Sequence, residues 1–131
     1  MVKKNAFHIV SAGEINKNKN HSVVIQAIAK LARPDIYYSI CGEGPNRKNL
    51  EAEIKKYGLE DRVILQGYRN DMPQIWKTAD ISVFPSLREG MGMAGLEAMA
   101  SGIPLIAADN RGTREYLTDQ ENGLICNPTS A

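Results

Sequence analysis

The sequence has little of several things, and each shortage excludes a class of function. Only two of its 131 residues are cysteine, Cys41 and Cys126. They sit in apolar contexts, lack metal-ligand spacing and make no disulfide framework, which points to a reducing, cytoplasmic compartment. The two histidines, His8 and His21, have no acid or serine at a suggestive spacing. No His/Cys/Asp cluster is spaced to hold a metal, so none is expected. Charge of either sign is not in excess: 16 Lys and Arg face 15 Asp and Glu, a net +1. No basic surface for nucleic acid follows from that balance. Long apolar runs are absent, and the start lacks a signal-peptide core. Peripheral association of a parent enzyme with a membrane stays open. Internal repeats, low-complexity stretches and linkers are also missing.

What is present is ordinary for a globular domain: 43% hydrophobic and 24% charged residues,. The length suits a single domain over residues 1–131 with a real core. Short apolar runs alternate with amphipathic ones. Strands are expected at Phe7–Val10, Ile36–Ile40, Val63–Leu65, Ile81–Phe84, Pro104–Ala107 and Leu124–Cys126. A helix with the stripe Val23, Val24, Ala27, Ile28 and Leu31 ends before Pro34. Others run over Arg47–Tyr57, Met72–Thr78 (with Asp71 as N-cap), Leu96–Ala100 and 113–117. Gly58 and Gly102 stop two of them. Pro45 suits the first turn of the second helix. His8 and Trp76 are expected in the core, and His21 on the surface at a helix start. Strict alternation implies α/β class: a Rossmann-like, doubly wound parallel sheet covered on both faces. The loops at 11–20, 42–46, 67–70, 85–93 and 109–112 each follow a strand. They therefore converge on one edge, where such sheets bind ligands.

One stretch stands out, Pro85 to Ile106, reading PSLREGMGMAGLEAMASGIPLI. Glu89 and Glu97 bracket seven residues, three of them glycine: Gly90, Gly92 and Gly95. A glycine-rich loop between a strand and a helix start offers backbone N–H groups to phosphate oxygens. Carboxylates only accept hydrogen bonds, so beside a phosphate they face hydroxyls. A nucleotide sugar satisfies both demands, with ribose at one end and hexose at the other. A surface loop with two solvated acids fits the spacing equally well.

The same stretch resembles the E-x7-E motif of retaining glycosyltransferases with the GT-B fold, family four (glycosyl transferases group 1). The likeness extends over the PS, EG-G and LEAMA-G-P elements and covers nearly the whole chain. It implies the C-terminal, nucleotide-sugar-binding half of a GT-B enzyme, without cofactor or metal. Glu89 is then the sugar-side acid, Gly90, Met91, Gly92 and Met93 face the diphosphate, and Glu97 holds the ribose hydroxyls. The segment Gly13 to Asn20 resembles the family's loop with an arginine and, later, a lysine. Lys19 takes the lysine's place, with a catalytic role on the leaving diphosphate, but Glu14 stands where the arginine belongs. Lys17 and Arg69 are candidates for the missing charge. Gly42 lies on a loop near the nucleotide, and Gly67, Tyr68 and Arg69 on a loop that contacts the base. The family's acceptor-binding N-terminal domain would precede residue 1 and its closing helices follow residue 131. The chain then reads as a fragment, inactive by itself, of a hexosyltransferase. Two alternatives remain: a nucleotide-sugar binding module without turnover, and an NAD-binding domain. Gly42-Glu43-Gly44 could open a dinucleotide fingerprint, but Arg47 stands where its third glycine belongs.

Overall fold

The computed structural model describes residues 6–88, 93–110, 113 and 123–130. Glu89, Gly90, Met91 and Gly92 lie outside the described residues, as does the expected helix beyond Thr113. Six strands form one sheet: β1 (Phe7–Ala12), β2 (Ile36–Cys41), β3 (Val63–Gly67), β4 (Ile81–Phe84), β5 (Leu105–Ala108) and β6 (Leu124–Cys126). Their order is β3-β2-β1-β4-β5-β6, and every neighbouring pair is parallel. Four helices join them: α1 (His21–Leu31), α2 (Arg47–Lys56), α3 (Met72–Thr78) and α4 (Met93–Ala100).

Neighbouring strand residues sort to opposite faces, as a pleated strand requires. Ile9, Ile40, Val83 and Ile106 join a core with Ile25 and Ile28 of α1 and Leu50 and Ile54 of α2. Val10, Cys41, Phe84 and Leu105 join a second core with Trp76 of α3 and Ala98 of α4. Two cores on opposite faces make the sheet doubly wound, as the alternation implies. β2, reading IYYSIC, is buried along its full length, the pattern of a strand covered on both sides,.

Polar groups inside this sheet are paired across its centre. The Ser11 hydroxyl donates to the Val83 carbonyl, so the buried Tyr38 O–H donates to Ser11 Oγ at 2.7 Å. One hydrogen-bond chain thus links β2, β1 and β4, where strand order reverses. His8 is buried as expected. Its Nδ1 faces the Thr78 carbonyl at 3.1 Å, which can only accept, so its Nε2 accepts from Ser39 Oγ at 2.8 Å,.

Four local expectations are corrected. The buried face of α1 is His21, Val24, Ile25 and Ile28, whereas Leu31 is 58% exposed. His21 opens the helix but is only 3% exposed, because Ile25 and Ile28 on the same face turn it inward,. Pro45 lies in the turn before α2, whose first residue is Arg47. Asp71 occupies the N-cap position of α3 without capping it. Its carboxylate takes the fork of Arg69 instead, at 2.9 and 2.6 Å. With both carboxylate oxygens turned to Arg69, neither caps the helix.

Candidate functional site

β1 has β2 on one side and β4 on the other. The chain leaves it in opposite directions along the sheet, so a crevice opens beyond the C-terminal ends of these strands. On the β2–β3 side of that edge lies a cleft of about 380 Å³. Its walls include Gly13 after β1, Cys41 and Gly42 at the end of β2, Tyr68 and Arg69 after β3, and Met72 of α3. Tyr68 is 81% exposed and forms an aromatic lip. Burial pushes the Cys41 thiol up to about 11, so it is a neutral part of the wall. A wider cleft of about 470 Å³, lined by Phe7, Arg33, Asp35 and Asp80, lies at the opposite edge. No residue singled out in the sequence belongs to it.

The cleft floor is built from backbone packed against backbone. The N–H of Gly13 donates to the Cys41 carbonyl at 3.0 Å and that of Ile15 to the Glu43 carbonyl at 2.9 Å. This extends the β1–β2 ladder past the strand ends. A Cβ on Gly42 would stand 1.9 Å from the Gly13 carbonyl oxygen, and one on Gly44 2.2 Å from that of Ile15. Those glycines serve the approach of two loops. The dinucleotide reading of Gly42-Glu43-Gly44 therefore loses its motive. Gly67 closes the third side, its carbonyl accepting from the Gly42 N–H at 2.8 Å.

Lys19 lies beside Gly13, its Cε 3.7 Å from where a Cβ on that glycine would be. Its backbone N–H donates to Asn16 Oδ1 at 2.9 Å, and the Asn16 amide donates to the Glu14 carboxylate. Glu14, the departure from the family pattern, thus braces the turn that carries Lys19. Arg69 reaches the cleft, but its fork is held by Asp71, whose carboxyl it keeps below the usual carboxylate range. Lys17 is exposed.

Met93 is the first residue of α4, so its N–H belongs to the unpaired set at a helix start,. Glu97 is exposed one turn further on, roughly 6 Å along the axis at 1.5 Å per residue. Of the expected residues, Gly13, Gly42, Tyr68 and Arg69 share the cleft. Gly67 and Lys19 border it, and Met93 and Glu97 belong to α4.

Three asparagines escaped the sequence reading. The segment Pro85–Arg88 leads from β4 toward Glu89, and side-chain amides fasten it. Asn20 Nδ2 donates to the Pro85 carbonyl at 3.0 Å and to that of Pro128 at 2.8 Å. Asn110 Nδ2 donates to the Ser86 carbonyl at 2.9 Å. Asn18 Nδ2 donates to the Arg88 carbonyl at 2.8 Å. Asn20 has φ 63, a left-handed conformation that asparagine tolerates better than most residues.

Comparison with known proteins agrees with this geometry. The family model described as glycosyl transferases group 1 matches residues 2–131. EpsD of Bacillus subtilis (strain 168), which carries a provisional glycosyltransferase name, is 39% identical over 121 residues. That match covers 91% of this chain and 32% of EpsD. The chain spans about a third of the length of the curated relatives it matches. Anabaena Alr3699/HepE, solved in complex with UDP-glucose, superposes with a TM-score of 0.91 at 29% identity, over 96% of this chain and 36% of that one. The C-terminal domain of a group 1 family protein (LpcC) from Francisella tularensis gives 0.84 at 33% identity, over 95% of this chain and 69% of that one.

Proposed function

The chain belongs to the glycosyl transferases of group 1, and we propose that it is the donor-binding half of a longer enzyme. It holds a nucleoside-diphosphate hexose, whose sugar the whole enzyme passes to an acceptor with retained anomeric configuration. The observation that carries this reading is the cleft of about 380 Å³ beyond the ends of β1 and β2, which brings Gly13, Gly42, Tyr68 and Arg69 together with Lys19 beside Gly13. The complex of the similar Alr3699/HepE with UDP-glucose supports it.

The roles follow from charge. Breaking the sugar–phosphate bond puts negative charge on the leaving diphosphate. The Lys19 ammonium and the first N–H groups of α4 oppose that charge without reorganising. Glu97 accepts from the two ribose hydroxyls, Tyr68 and Arg69 border the base, and Glu89 serves the hexose end. With amides and a lysine on the phosphates, binding needs no divalent metal. Residues 1–131 alone hold a donor but transfer no sugar. Among the described residues no helix is long and apolar enough to cross a membrane. We place the enzyme in the cytoplasm, with room for peripheral contact with a membrane.

A thermal-shift panel of UDP, GDP, ADP and NAD tests this reading. A rise in melting temperature with a nucleoside diphosphate and none with NAD supports it. A rise with NAD alone replaces it with a dinucleotide site, and no rise with any of the four overturns it.

A further inference from the structure

Leu87 and Arg88, past the end of β4, are held by Asn18. The Leu87 N–H donates to the Asn18 carbonyl at 2.8 Å. The Arg88 N–H donates to Asn18 Oδ1 at 2.9 Å, while Asn18 Nδ2 donates to the Arg88 carbonyl at 2.8 Å. One carboxamide therefore closes on both polar groups of one residue, 70 positions away in sequence. Only a side chain with a donor and an acceptor side by side can do this. Aspartate lacks the donor, and alanine lacks both.

The neighbours of Asn18 give the contact a purpose. Lys19 follows it directly, and Asn20, on the far side of Lys19, donates to the Pro85 carbonyl of the same segment. The lysine is bracketed by two residues, each bound to the segment Pro85–Arg88. Glu89 follows Arg88 directly in the sequence. We propose that Asn18, with Asn20 beside it, is a positioning residue for the donor sugar: it fixes the Lys19 loop against the segment leading into Glu89. The inference rests on the donor-binding reading above. Within that reading, Lys19 and Glu89 serve opposite ends of the bond to be broken. Their relative placement bears on the sugar and its phosphate link. The base and ribose depend on the cleft and Glu97.

A loop tether with no such purpose would behave differently. Its loss would loosen the fold and weaken every ligand alike. Calorimetric titration of the 131-residue chain with UDP and with UDP-glucose separates the two. Wild type, Asn18→Ala and Asn18→Asp are compared, each checked for folding by circular dichroism. Asn18→Ala is expected to lose about tenfold for UDP-glucose and clearly less for UDP, which meets Lys19 through its diphosphate but has no hexose to be placed toward Glu89. Asn18→Asp keeps the acceptor for the Arg88 N–H, and its loss should fall between. If Asn18→Ala fails to fold, Asn18→Asp carries the test with the same signature. Equal losses for both ligands, or no loss for either, overturn the positioning role while leaving the donor site intact. A wild-type chain that takes neither ligand overturns the donor-binding reading, and this inference with it.

Discussion

Gly42 passes so close to Gly13 that a side chain on it would stand 1.9 Å from the Gly13 carbonyl oxygen. Gly42 also has φ +152, and the obstructing atom is backbone, so no rotamer relieves the contact. The loops after β1 and β2 can form the cleft floor only with glycine there. Gly42→Ala is expected to destabilise the chain by about 4 kcal/mol or more. Gly58→Ala is the control: φ is +65 there, but nothing lies within 4 Å of the added carbon. It should cost only about 1 kcal/mol, the left-handed penalty of a single residue. Urea unfolding of both variants checks the contrast; similar losses would mean that the loop approach is not tight.

His21 sets an expected pH dependence. Burial first, and the Lys19 charge second, bring it down to about 4 from an ordinary 6.5. The folded chain therefore keeps it neutral over a range in which the unfolded chain protonates it. Above pH 6.5 neither state carries that proton, and the contribution is fully present. Between 6.5 and 4 only the unfolded state gains it, so stability falls as pH falls, by about 3 kcal/mol in all,. His8, also lowered by burial, acts in the same direction. Unfolding free energies at pH 7 and pH 4.5 should differ less in His21→Phe than in wild type. The comparison cancels the carboxylates, including Asp35 and Asp71, which are lowered by their arginine partners and act at more acid pH. An undiminished difference would place His21 in solvent.

In a longer enzyme containing this chain, Lys19→Ala and Glu89→Gln should act on turnover. Each removes an interaction that strengthens as the sugar–phosphate bond breaks. The expected signature is kcat lowered about tenfold or more with the donor KM little changed. Steady-state kinetics decides it. A raised KM with intact kcat for Glu89→Gln would move that residue to the nucleotide side.

The sheet was legible because buried parallel strands are short apolar runs, and here each run is bounded by glycine, proline or charge. β2 and β4 needed nothing more. The convergence of loops on one edge followed from strand direction alone. His21 was misread because its flanks, Asn20 and Ser22, are polar, while the helical phase that buries it is set by Ile25 and Ile28. Asp71 was misread because a local rule, the N-cap, competed with a charged partner two residues away. Asn18, Asn20 and Asn110 were invisible for another reason. Their partners are backbone groups 70, 65 and 24 positions distant, and backbone leaves no trace in residue type. Glu14 looked like a defect at an arginine position until Asn16 connected it to the Lys19 turn.

The most direct test of the central claim is calorimetry of UDP binding to the wild-type chain and to Glu97→Ala, repeated with excess EDTA. Paired charge-assisted hydrogen bonds to two ribose hydroxyls contribute on the order of 1–3 kcal/mol when shielded. Binding is expected to survive chelation and to weaken about tenfold in Glu97→Ala, the equivalent of about 1.4 kcal/mol. Equal affinity in the two proteins, or binding abolished by EDTA, would contradict it.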